Sequence, residues 1–137
     1  MTTAHRIIGL LAAAAIVVPL SGCSVVNGLN RTVACSRLAV AATQLKDAEA
    51  DFSADAADPA AAAATVTKAE DAFDSQMKDV RDADVKTKSD AITSALRTLA
   101  ADLQKSADDP ASADGAKLSA DKTALLDAAD QAKSLCE

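Results

Sequence analysis

The sequence predicts an all-α fold, an antiparallel up-down four-helix bundle closed by one disulfide. First, apolar residues recur every three or four positions in four successive segments. Second, the steps Asp58-Pro59 and Asp109-Pro110 interrupt this pattern as a helix N-cap followed by proline does. Third, the connections between the segments are short, and short connections make consecutive helices antiparallel.

The first two helices are predicted on either side of Asp58. Helix one begins at Thr32 and ends near Ala54. Its apolar stripe consists of Cys35, Leu38, Ala42, Leu45, Ala48 and Phe52. Helix two follows from Pro59 to Val80 and opens on an alanine run, the best helix-forming sequence. Its stripe consists of Ala62, Val66, Ala69, Phe73, Met77 and Val80.

The last two helices follow an aspartate-rich turn in which Asp82 or Asp84 can act as the N-cap. Helix three has the most strongly apolar stripe, formed by Val85, Ser89, Ile92, Leu96, Leu99 and Leu103. Helix four begins between Pro110 and Lys117, where Gly115 lowers helix propensity, and runs nearly to Glu137. Its stripe consists of Leu118, Leu125, Ala129, Ala132 and Cys136.

The amino terminus has the form of an export signal. A short polar start ending at Arg6 precedes an apolar run from Ile7 to Leu20. This run is shorter than the roughly 20 residues that a membrane-spanning helix needs. The run ends in Leu20-Ser21-Gly22-Cys23, which resembles the lipobox of bacterial prolipoproteins. In that family the cysteine thiol is alkylated by a diacylglyceryl group, and the chain is cut just before the cysteine.

The resemblance implies that Cys23 carries lipid and that the bond between Gly22 and Cys23 is cut. Residues 1–22 are then a lipoprotein signal peptide, 23–31 a lipidated tether and 32–137 the bundle domain. Two acyl chains anchor a protein stably, so we expect it on the extracytoplasmic face of the cell membrane. The alternative is an ordinary secretion signal in which Cys23 merely follows two small residues. The resemblance says nothing about the activity of the remaining chain.

Two cysteines, Cys35 and Cys136, remain once Cys23 is assigned to lipid. In an oxidising compartment a pair of thiols usually forms a disulfide. In an up-down bundle the start of helix one and the end of helix four lie at the same end on adjacent helices. The alternative is a metal or redox pair, but the chain has no CxxC motif and its single histidine, His5, lies in the signal peptide.

The composition argues against several functional classes. A net charge of −6 is unfavourable for binding nucleic acid. Phe52 and Phe73 are the only aromatic residues, so there is almost no stacking surface for bases. Without histidine in the mature chain, no residue pattern for proton transfer or nucleophilic catalysis can be assigned. No catalytic residue, metal site or cofactor is therefore predicted.

We expect a non-enzymatic, membrane-anchored lipoprotein of the cell envelope that acts as a binding or scaffold module. Its predicted partners are the membrane, through lipid on Cys23, and another envelope protein. The alternative is a carrier that holds a small apolar ligand within the bundle.

The predicted topology also collects charges of opposite sign at the two ends of the bundle. The end next to the tether would carry Arg31, Arg37, Arg81, Lys86, Lys88 and Lys133. The far end would carry Asp55, Asp58, Asp108, Asp109 and Asp114. Basic residues near a membrane attract anionic headgroups, whereas aspartates at turns commonly serve as caps. The sequence leaves both interpretations open.

Overall fold

A computed structural model describes residues 22–55 and 57–137, with side chains from residue 28 onward. Within these ranges the chain forms α1 (Gly22–Ala54), α2 (Pro59–Met77), α3 (Ala83–Asp108) and α4 (Gly115–Cys136). A short 3₁₀ turn, Pro110–Ser112, precedes α4. The predicted signal peptide lies outside the described residues except for Gly22. None of the described helices combines the length and apolar character needed to cross a membrane.

The predicted up-down bundle is confirmed. Consecutive helices pack against each other, with α2 and α3 forming the most extensive pair. The disulfide between Cys35 and Cys136 joins the first helix to the last across 101 residues of sequence. This bond closes the bundle at the end where α1 enters and α4 leaves.

Aspartate side chains set the starts of α2, α3 and α4. Asp58 accepts hydrogen bonds from the amides of Ala60 and Ala61 just ahead of the first turn of α2. Asp82 accepts from the Val85 amide at the start of α3. These contacts satisfy helix N–H groups that have no partner within their helix, each worth about 1 kcal/mol.

The start of α4 lies inside the predicted interval but five residues after Pro110. Asp109 accepts from the Ala111 amide and caps only the 3₁₀ turn. A second aspartate, Asp114, then accepts from the Lys117 amide and opens α4 at Gly115. The Asp-Pro step therefore opens α2 directly, whereas a separate cap opens α4.

Helix α1 begins at Gly22, ten residues before the predicted start at Thr32. The segment assigned as a tether is therefore helical. Glycine and asparagine lower helix propensity by about 1 kcal/mol or less each. The Arg31 side chain contacts Asp82 and Asp84 in the turn before α3. The Thr32 hydroxyl donates to the Gly28 carbonyl at 3.0 Å.

The hydrophobic core lies mainly between α2 and α3. All six predicted residues of the α3 stripe are buried, and so are all those of the second stripe except the half-buried Ala69. On α1 only Leu38 of the predicted stripe is buried, and it is joined by Ala34 and Ala41. On α4 only Ala132 is buried. The inward faces of α1 and α4 are therefore less completely covered than those of α2 and α3.

Candidate functional site

A cleft separates α1 from α4 along one side of the bundle. At the disulfide the Cα atoms of Cys35 and Cys136 are 5.6 Å apart, but elsewhere these two helices pack together over a short length only. The space between them has a volume of about 520 Å³. Its floor is formed by buried side chains of the two central helices, Val66, Leu96 and Leu99.

The walls of the cleft are mostly alanine and leucine. Helix α1 contributes Ala39, Ala42, Leu45, Ala48 and Phe52, and α4 contributes Leu125, Leu126 and Ala129. Leu126 remains 48% exposed. A fully buried leucine side chain stabilises a fold by about 1.5–3 kcal/mol relative to an exposed one. Leu126 gains only part of this stabilisation, because about half of its surface stays exposed.

The cleft exists because small side chains line the α1 wall while the two helices are held in register at two points. Glu49 is 14 residues after Cys35, and Lys122 is 14 residues before Cys136. The Lys122 Nζ atom lies 3.5 Å from the Glu49 Oε1 atom. The helices therefore face each other over about 21 Å, given a rise of about 1.5 Å per residue. The alanine side chains between these two points are too short to fill the gap.

Five charged residues also line the cleft, three of them lysines, Lys46, Lys122 and Lys133, against Glu49 and Asp130. Cations thus outnumber carboxylates here, although the whole chain carries a net charge of −6. Lys122 pairs with Glu49, and Lys133 pairs with Glu137 at 3.3 Å. Lys46 is exposed and forms no ion pair with the residues that the structure describes.

A second, more polar groove of about 420 Å³ runs between α2 and α3. Its polar groups bond mainly to one another. The Thr93 hydroxyl donates to Asp74 at 2.7 Å, and the Arg97 guanidinium donates to Glu70 at 2.6 Å. These bonds link the two helices. We therefore assign the polar side chains of this groove a structural role.

The charges at the disulfide end are largely paired. Arg31 contacts two aspartates, and Arg37 lies 3.7 Å from Asp79. Lys86 lies 2.9 Å from Asp90, and the Lys88 side chain donates to Gln131 at 2.9 Å. At the opposite end, Asp58, Asp109 and Asp114 act as caps. This pairing and capping favour structural roles for the two groups of charges.

Two carboxylates have pKa values below their ordinary range. The Val85 backbone amide, followed by Arg31, lowers the pKa of Asp82. The Lys117 side chain, followed by Asp121, lowers the pKa of Asp102. The same contacts with Asp102 and Asp121 raise the pKa of Lys117. Lys117 thereby links α3 to α4 through charge-assisted hydrogen bonds.

Cys35 and Cys136 are brought together, whereas Gly22 and Cys23 form the first two positions of α1. Within residues 22–55 and 57–137, no three cysteine, aspartate or glutamate side chains are grouped so as to hold a metal ion. The sequence leaves open whether the alanine-rich stripes beside helix three close tightly or leave a cavity, and the structure shows a cleft between α1 and α4.

No protein-family model, curated protein or solved structure matches the chain. What the protein does has to be inferred from its own residues.

Proposed function

We propose that the protein is a non-enzymatic lipoprotein of the cell envelope, and that its bundle acts as a binding module. The observation that carries this proposal is the open cleft between α1 and α4. Binding sites for small molecules are usually concave, largely apolar and already formed, with volumes of about 300–1,000 Å³. The cleft volume of about 520 Å³ falls in that range.

The proposed anchor is lipid on Cys23, with cleavage before that residue. The lipobox Leu20-Ser21-Gly22-Cys23 supports it. At about 0.8 kcal/mol for each buried methylene group, two acyl chains hold a protein on a bilayer stably. A continuous α1 would then connect the lipid directly to the bundle on the extracytoplasmic face of the membrane.

Two kinds of partner suit such a module. The cleft favours a carrier that holds a small apolar ligand. A scaffold that binds another envelope protein is favoured by an exposed apolar stripe on α1, where Leu29 and Val33 are 62% and 56% exposed. Val40 continues this stripe, because positions separated by four and seven residues lie on one face of a helix.

No catalytic step belongs to this proposal. The only histidine precedes the proposed cleavage site, and two cysteines are joined in the disulfide. Asp58, Asp82 and Asp114 cap helices. A binding role uses the cleft without requiring a general acid, a base or a nucleophile.

Native mass spectrometry of the protein, purified from its own membrane in mild detergent without reductant, tests the proposal. The expected mass is that of residues 23–137 with a diacylglyceryl group and any amino-terminal acyl chain, lacking two thiol hydrogens. A further constant mass of small-molecule size supports the carrier. A chain without lipid, cut at another position, contradicts the anchor. As a matched control, Cys23→Ser should leave the membrane fraction, whereas Cys136→Ser should remain in it.

A further inference from the structure

We infer that the cleft between α1 and α4 binds a single-chain fatty acid, with the hydrocarbon along the apolar floor and the carboxylate at Lys46. This inference rests on the proposed binding function and names its ligand.

The shape of the cleft favours one aliphatic chain. Its α1 wall extends from Ala39 to Phe52, a length of about 20 Å at about 1.5 Å per residue. If each methylene group takes about the 30 Å³ of a water molecule in the liquid, the volume of about 520 Å³ corresponds to about 17 such groups. This is the size of one long chain, and a lipid with two such chains exceeds it.

The chemistry of the walls excludes flat aromatic ligands as the preferred class. Phe52 is the only aromatic residue that lines the cleft, so the walls offer little surface for ring stacking. The remaining apolar wall and floor residues are alanine, valine and leucine. Such walls favour an aliphatic chain, whose transfer from water contributes about 0.8 kcal/mol per methylene group.

The charge of the cleft favours an acidic headgroup. Three lysines and two carboxylates line it, in a chain with a net charge of −6. Lys122 and Lys133 already have carboxylate partners, Glu49 and Glu137. Lys46, near the middle of the α1 wall, and Asp130 on α4 are both exposed and form no ion pair among the described residues. Lys46 is therefore the cation in the cleft that is available to an acidic ligand. A charge-assisted hydrogen bond from this lysine would hold the carboxylate beside the α1 wall.

The test uses the oxidised full chain with Cys23→Ser, which removes only the proposed site of lipid attachment and avoids detergent. Palmitate binding is measured by isothermal titration calorimetry, after circular dichroism has established that each variant is helical. We expect one saturable site per chain. Hexadecanol, which has the same chain length without the charge, should bind about tenfold more weakly, as should palmitate to Lys46→Glu.

Two control variants, Lys68→Glu and Ala50→Leu, separate effects at the cleft from general effects of charge and side-chain volume. Lys68→Glu changes an exposed lysine on α2 outside the cleft and should alter palmitate affinity less than about twofold. Ala42→Leu places a larger side chain in the cleft and should weaken binding about tenfold, whereas Ala50→Leu, on an exposed position outside the cleft, should not.

The inference is overturned if palmitate shows no saturable binding, or if each cleft variant behaves like its control. Equal binding of hexadecanol and palmitate would overturn the acidic headgroup. If palmitate does not bind, but the native protein carries lipid and crosslinks to another protein through the cleft, the fatty-acid inference is refuted. The proposed function then still stands. Saturable palmitate binding by the Cys23→Ser chain, combined with native protein that carries no lipid on Cys23, would support the fatty-acid site and refute the anchor.

Discussion

The two halves of the bundle carry similar apolar stripes but bury them to different extents. In the pair α2 and α3, large residues such as Phe73, Val85 and Ile92 are buried almost completely. In the pair α1 and α4, Leu45, Phe52 and Leu125 are only half-buried. One pair forms the core, and the other forms the walls of a cleft.

The difference follows from side-chain size and from what joins each pair. The α2 and α3 stripes present branched and aromatic side chains that fill the space between two helices at crystal-like density. The α1 wall is rich in alanine, the α4 wall carries partly exposed leucines, and these helices are connected mainly by Cys35–Cys136 and by the Glu49–Lys122 pair. A covalent bond can hold two helices together without requiring that they pack along their length.

Loss of the disulfide should therefore have the largest effect on stability. In the chain-entropy description, a bond that closes about 100 residues contributes about 4.7 kcal/mol. A domain of this size loses about 4–8 °C in melting temperature for each kcal/mol. We expect Cys136→Ser to lower the melting temperature by well over ten degrees, as measured by far-UV circular dichroism.

The double variant Cys35→Ser with Cys136→Ser controls for intermolecular disulfides formed by a remaining thiol. It should melt at the same reduced temperature as the oxidised single variant. Melting temperatures equal to that of the unaltered protein would show that packing between α1 and α4 holds the bundle closed.

Truncation of one large side chain in each half should give unequal losses. Phe73→Ala removes a side chain that is 1% exposed and should cost about 3–5 kcal/mol. Leu126→Ala removes a side chain from the cleft wall and should cost less than about 1 kcal/mol, because it leaves no enclosed cavity. Chemical denaturation of both variants measures the two losses. Equal losses would show that the cleft is closed in solution.

The sequence predicts the helices and their caps well because these depend on local chemistry. Asp58-Pro59 both fixes the backbone and supplies the acceptor for the first turn of α2. The α3 stripe is buried as predicted, since its large side chains occur at every turn. The early start of α1 was not predicted, because residues 24–31 contain a glycine and two asparagines and show no helical period of apolar residues.

The sequence left open whether the bundle contains a cavity, because helical periodicity gives the direction of a side chain and not the distance to the neighbouring helix. Ala42 and Ala62 are the same residue type on predicted stripes, yet Ala42 is exposed and Ala62 is buried. The difference lies in the neighbours that the fold supplies. Facing alanines on two stripes are compatible with close packing or with an open cleft, and only the structure distinguishes these outcomes.

The smallest effect is expected from the ionic link between α3 and α4. The pKa of Asp102 is lowered by Lys117 and then by Asp121, and the pKa of Lys117 is raised by the same contacts. A lowered carboxylate pKa gives stability that is present above the unfolded value of about 3.9 and is lost as the pH falls through the folded value. The raised lysine pKa gives stability that is present below about 10.4 and is lost as the pH rises through the folded value.

The variant Asp102→Asn should accordingly melt slightly below the unaltered protein at neutral pH and lose less stability on acidification below about pH 4. Melting curves recorded from neutral to acid pH measure this difference, and Asp108→Asn serves as a control at an exposed carboxylate near the end of the same helix. Parallel acid profiles for Asp102→Asn and the unaltered protein would show that the link contributes nothing. In that case the disulfide and the packing of α4 on α3 together would hold the second wall of the cleft in place.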